Sequence, residues 1–139
     1  MALSGIRHLL LDANAILRYL RNDVPAQAEA VQVRIEQARA GRLVLEIHPL
    51  ILSEVVFVLE SFYSVPRRQI AAVLRIFLDT PGIKLHEDVR MQETLKRYAG
   101  RNTSFIDAYL AALGAETAHE IFSFDKGLDK FQDIRRVER

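Results

Sequence analysis

Two short apolar runs in this chain end on an aspartate and lead straight into helix-forming sequence, and that arrangement most limits the folds open to it. His8-Leu9-Leu10-Leu11 stops at Asp12 and is followed by Ala15-Ile16-Leu17-Arg18-Tyr19-Leu20. Near the other end, Glu120-Ile121-Phe122-Ser123-Phe124 stops at Asp125, and 126–131 can make one or two helical turns. Both read as strand, turn, helix. Between them, Pro25 can open a helix that continues in good helix formers over 26–40 until Gly41 stops it. Leu43-Val44-Leu45-Glu46-Ile47 is short and β-rich. Pro49 begins an apolar helix to about Tyr63, and Pro66 starts another with Ile70, Val73, Leu74, Phe77 and Leu78 at helical spacing, so a helical hairpin is predicted. Pro81-Gly82 precedes a weak strand, Ile83-Lys84-Leu85, and an amphipathic helix follows over 87–98. After the loop Gly100-Arg101-Asn102-Thr103, Ser104-Phe105-Ile106-Asp107 resembles a capping box that opens a helix to about Thr117. A last edge strand is expected over 134–137.

Strand alternating with helix or helix pair argues for an α/β sandwich on a mostly parallel sheet of four to five strands, flanked by helices. A length of 139 residues predicts a single domain over 1–139. Half of the residues are hydrophobic and 27% charged, which supports a core and excludes a disordered chain. With Cys 0 there is no disulfide, thiolate metal site or cysteine nucleophile. The stretch 50–62, cut by Ser53, Glu54 and Glu60, is shorter than the roughly 20 residues of a spanning helix, and residues 1–7 carry no secretory signal. A cytoplasmic protein with no membrane association is expected. The formal net charge of +1 gives no whole-molecule attraction to a polyanion, so any nucleic acid must be held locally.

In parallel sheets ligands sit beyond the carboxyl ends of the strands, where Asp12 and Asp125 stand. Each also suits a helix cap, a role worth about 1 kcal/mol, and Asp107 suits the acidic place of the Ser104 capping box. Glu54 is harder to explain as structure, because Leu50, Ile51, Phe57 and Val58 lie three and four positions away on the same helix. A lone carboxylate there would be costly to bury without a cation, whereas Glu60 reads as a surface acid. If Asp12, Glu54, Asp107 and Asp125 converge, each pair at about 5 Å repels by roughly 3 kcal/mol at an effective dielectric near 20, and a cation is required. Oxygen-only ligands select Mg²⁺, with Mn²⁺ as a substitute, over zinc. His8, His48, His86 and His119 share no spacing and read as ordinary surface or half-buried histidines.

Asp12-Ala13-Asn14-Ala15-Ile16-Leu17, an isolated Glu54 in an apolar helix, Ser104-Phe105-Ile106-Asp107-Ala108 and Ser123-Phe124-Asp125-Lys126 together resemble the four motifs of PIN-domain ribonucleases, in order and over nearly the whole chain. The resemblance is nearest to the VapC-type toxins of toxin-antitoxin pairs. It implies a three-layer sandwich and a Mg²⁺-dependent endoribonuclease acting on RNA. It also implies a homodimer held inactive by a small antitoxin whose basic segment enters the acidic site. Carried over by position, Asp12, Glu54, Asp107 and Asp125 become the catalytic, metal-binding quartet, and Asn14 and Ser123 the polar residues that orient it. Ser123 stands where the family more often has Thr. Asp129 is a further acid near the site, and Arg101 and Asn102 are either phosphate contacts or solvated loop residues.

Three alternatives remain at this point. A phosphatase of the haloacid dehalogenase type wants a second Asp two residues after the first, and Asn14 stands there. A phosphoacceptor receiver wants an Asp after the third strand, where His86-Glu87 follows Leu85. A PIN fold kept only for binding would have no need of all four acids. Phe57, Phe62, Tyr63, Ile76 and Phe77 on the hairpin are core or interface, with core the default expectation.

Overall fold

The computed structural model describes residues 5–139, so the expectation that residues 1–7 carry no secretory signal falls, for residues 1–4, outside the described residues. In chain order the elements are β1 (Arg7–Leu10), α1 (Ala13–Arg21), α2 (Pro25–Arg39), β2 (Leu43–Ile47), α3 (Pro49–Ser61), α4 (Arg67–Leu78), β3 (Ile83–Leu85), α5 (Asp88–Gly100), α6 (Phe105–Thr117), β4 (Ile121–Phe122), a short 3₁₀ turn (Lys126–Lys130) and β5 (Arg136–Val137). Pro25 and Pro49 occupy first-turn positions, where a missing N–H costs nothing, while Pro66 caps α4 from outside. No helix among the described residues is long and apolar enough to cross a membrane.

Among the described residues every strand pairing is parallel. β1, β2 and β3 form one sheet with β2 central, Leu45 facing Leu9 on one side and Ile83 on the other. β4 and β5 form a second sheet. The α/β fold with parallel strands and a helical hairpin is therefore the one expected, with its five strands divided three and two. β4 is short, and the N–H groups of Ile121 and of Ser123 just after it donate to the carbonyls of Arg135 and Val137, at 2.9 and 3.0 Å, next to and within β5.

Period-two alternation sorts the large sheet. Leu43, Leu45 and Ile47 are buried in the main core with Ile16, Ile35, Leu52, Leu74, Leu95 and Tyr98, whereas Val44 and Glu46 point the other way and are half-buried. On that outer face Leu10, opposite Glu46, is 74% exposed. A smaller apolar cluster of Ala111, Ile121, Leu128 and Phe131 seats β4 and the 3₁₀ turn on α6. There Gly114 admits the Ile121 side chain so closely that a Cβ would stand 3.0 Å from its Cδ1.

The hairpin departs from its expected packing. Phe77 is buried and Tyr63 half-buried, but Phe57, Phe62 and Ile76 are exposed on the outside of α3 and α4, as is Leu50. Glu60 is exposed, yet it accepts the hydroxyl of buried Tyr98, whose acidity is lowered by burial and then by that carboxylate.

Gly82 sets the entry to β3. Its φ is +88°, its carbonyl accepts the Leu45 N–H at 2.9 Å, and a Cβ would lie 2.4 Å from the Ala38 carbonyl oxygen at the end of α2. Gly41 has a similar φ of +76° with open space around it. Gly41→Ala should therefore cost only the left-handed strain, about 1 to 2 kcal/mol. Gly82→Ala should cost clearly more, because backbone must also move, and urea denaturation of the two variants measures the difference.

Candidate active site

Asp12 follows β1 and caps α1. Its Oδ1 accepts the Ala15 N–H at 2.8 Å, Oδ2 takes no part in the cap, and the side chain is exposed. Asp125 follows β4 in the same way, with Oδ1 accepting the Gly127 N–H at 2.8 Å while its own N–H donates to Ser123 Oγ at 3.0 Å. Gly127 lets this contact form closely, since a Cβ there would meet Asp125 Oδ1 at 2.9 Å and the carboxylate would have to shift. Ser123 thus orients Asp125 through its backbone. Asn14 is exposed at the second position of α1.

Asp107 is half-buried in the first turn of α6, its N–H donating to Ser104 Oγ at 3.1 Å, so the capping serine is real. Burial, and then the Asp125 carboxyl close beside it, raise the Asp107 pKa above its ordinary value. The Ser104 hydroxyl and the Lys130 ammonium pull the other way. Two carboxyls from distant parts of the chain are thereby pressed together, and like charges sharing a site favour retention of a proton or binding of a cation.

Glu54 is exposed, which corrects the expectation of a carboxylate costly to bury. Leu50 and Phe57, its neighbours at i−4 and i+3, are 83% and 65% exposed, so that stripe of α3 faces outward and desolvates nothing. Asp129 is held by Arg136 through paired contacts of 2.9 and 3.1 Å, which lower its pKa. Arg136 also donates to the Ser123 carbonyl at 3.0 Å and so braces the segment carrying Asp125. Asn102 has a structural use, its Oδ1 accepting from Arg67 at 3.2 Å and its carbonyl from Lys130, whereas Arg101 is exposed. Asp107 and Asp125 are the members of the quartet brought together.

Among the described residues, the group of three His, Asp or Glu side chains whose ligand atoms all lie within 4.8 Å of one another is Glu46, His48 and His86. His86 Nε2 is 2.5 Å from Glu46 Oε1, His8 Nδ1 contacts Oε2, and the His48 and His86 rings stack at 3.9 Å with 12° between their planes. Bonds from His86 and then His8 hold the Glu46 carboxyl down at about 2. The histidines are exposed or half-buried, as expected, but three of the four, His8, His48 and His86, gather around Glu46 or one another, which their spacing did not announce. The signal was present in the alternation of β2: with Leu43, Leu45 and Ile47 inward, Glu46 faces outward, and His8 and His86 fall on the outward register of its two neighbours.

The two carboxyls titrate in opposite senses. The raised Asp107 pKa means that its ionised form costs stability as pH rises above the ordinary 3.8. Asp107→Asn should accordingly be at least as stable as wild type near neutrality in EDTA, with the advantage vanishing in acid. A simple cap predicts instead a loss of a few tenths to about 1 kcal/mol at neutral pH. Glu46, whose pKa is depressed, contributes stability above its ordinary 4.5 that is lost as pH falls toward about 2. Glu46→Gln should therefore lose less stability than wild type across that interval, and thermal melts against pH test both signs.

A sequence model of the PIN domain matches residues 9–134, a span that contains Asp12, Glu54, Asp107 and Asp125 in the order of the four motifs. No curated protein matches the chain. PIN domains are in general nucleases that use divalent metals. With this match over most of its length, and with parallel strands whose carboxyl ends carry the acids, the chain belongs to the PIN domain family.

Proposed function

We propose that residues 1–139 form one Mg²⁺-dependent endoribonuclease domain that hydrolyses RNA phosphodiester bonds, acting in the cytoplasm as the VapC-type toxin of a toxin-antitoxin pair. The observation that carries this reading is the juxtaposition of Asp107 and Asp125, with Asp107 raised by burial and by its neighbour. A carboxyl pair under that strain suits a hard divalent cation, as does a donor set made of oxygen alone. Asp12, Glu54, Asp107 and Asp125 would hold the ion, with Mn²⁺ as a substitute. When bound, it supplies a water of lowered pKa and offsets charge developing at phosphorus.

The side chains of the chain have the remaining tasks. Ser123 fixes the Asp125 backbone, Ser104 fixes that of Asp107, and Asn14, two residues past Asp12, would help to orient the acids. Lys130, near enough to lower the Asp107 pKa, is a cation at the rim for a substrate phosphate. No side chain is asked to act as nucleophile. The toxin reading carries with it a small antitoxin whose basic segment enters this site and a homodimer, for which exposed Leu50, Phe57, Phe62 and Ile76 provide apolar surface.

Purified protein should cleave single-stranded RNA with Mg²⁺ or Mn²⁺ and stop in excess EDTA, leaving 5′-phosphate and 3′-hydroxyl ends. Persistent cleavage in EDTA, or primary products with 2′,3′-cyclic ends, would defeat the metal mechanism. Asp125→Asn should reduce the rate by roughly a hundredfold or more. Free Mg²⁺ at about ten times its dissociation constant should stabilise wild type by about 1.4 kcal/mol and Asp107→Asn much less. RNA binding without cleavage would indicate a PIN fold kept for binding. Purification from native cells without a small companion would remove the toxin assignment and leave the nuclease.

A further inference from the structure

We propose that Glu46, His48 and His86 form a second metal site, selective for an imidazole-preferring divalent ion of the zinc class and distinct from the oxygen-only acids. The frame is rigid. Leu11 donates its N–H to the Glu46 carbonyl at 3.0 Å and His86 donates its own to the Ile47 carbonyl at 2.9 Å, so the ends of β1, β2 and β3 are tied together. His48 is held in extended conformation (φ −101°, ψ 154°) between Ile47 and Pro49, at the start of α3.

From this frame two imidazoles and one carboxylate present ligand atoms within 4.8 Å of one another. Bonds of about 2.0 to 2.2 Å in a tetrahedral site imply ligand-to-ligand edges of about 3.3 Å. To hold an ion, the 2.5 Å contact between His86 and Glu46 would open slightly and the stacked rings would splay.

An ion pair accounts for His8 and His86, each on one oxygen of Glu46. It does not account for His48, whose ring lies flat against His86. A shared ion uses all three. His8 then keeps Oε2 and orients the ligating carboxylate, the supporting role that outer residues play around metal centres. Two nitrogens and one oxygen suit zinc, cobalt or nickel and disfavour magnesium and calcium, which take oxygen ligands. Solvent can reach the site, since His48 is exposed and Glu46 and His86 are only half-buried, and His48 also borders a cavity of about 360 Å³.

The test uses the full chain, stripped with EDTA and dialysed free of chelator, with Mg²⁺ in excess to occupy the acids. Co²⁺ is titrated by visible absorption and Zn²⁺ by calorimetry. One equivalent should bind, with tetrahedral cobalt absorption, in wild type and equally in Asp107→Asn. Affinity should fall about tenfold or more in His48→Ala and in His86→Ala, and His8→Ala should weaken binding while preserving the stoichiometry. His48 is exposed, so its variant should fold, and unchanged circular dichroism verifies this. Absence of binding, displacement by Mg²⁺, or wild-type affinity retained in both ligand variants overturns the site. Binding lost in Asp107→Asn but kept in the histidine variants assigns the ion to the acids and likewise overturns it.

Discussion

The parallel register of β2 between β1 and β3 is the constraint on which the rest depends. With Leu45 opposite both Leu9 and Ile83, the inward positions bury Leu43, Leu45 and Ile47 beneath the helices, and the outward positions gather Glu46 among histidines. A slip of one residue would exchange the two faces, sending Glu46 into the apolar core and Leu45 into water. The same register places the carboxyl ends of three strands side by side, so that Asp12, His48 and His86 leave the sheet at one edge.

A second constraint works locally. β4 is too short to be held by a long ladder, and its position rests on the small cluster of Ile121, Leu128 and Phe131 against α6, with Gly114 allowing the close approach. Because Asp107 opens α6 and Asp125 follows β4, apolar packing several residues away presses two carboxyls together. The opposing charge is distributed with similar economy: Lys130 lies near Asp107, Arg136 occupies Asp129, and Arg97 holds Asp133 and lies against Phe131. Asp129 and Asp133 are thus each paired with an arginine, while Asp107 and Asp125 stand beside one another with Lys130 nearby.

The two clusters differ in donor chemistry as well as in place. Oxygen donors at the Asp107–Asp125 pair suit an ion that binds phosphate and water, whereas the mixed donors around Glu46 suit a softer ion. Leu11 connects them through the backbone, bonding to the Glu46 carbonyl and preceding Asp12. An ion on the histidines would therefore stiffen the strand end from which the acidic site begins.

Most of the element order was legible in the sequence, because prolines at helix starts, the capping Ser104 and the short β-rich runs act locally and do not need the rest of the chain. β2 and β3 fall on the predicted residues, Asp12 and Asp125 carry the capping contacts that their positions suggested, and Ser104 caps α6 through the Asp107 N–H. Tertiary structure decided which surfaces are covered. An apolar helix pattern cannot say whether Leu50 and Phe57 meet the core or the outside, and with them outside, Glu54 is solvated. It also decided which side chains meet. The histidines lie 38 to 40 residues apart in their pairs with Glu46, a separation without periodic signature, and strand register alone brings them to one carboxylate. Sequence determines what is encoded within a few residues of chain, and contact between distant residues is set only when the strands choose their neighbours.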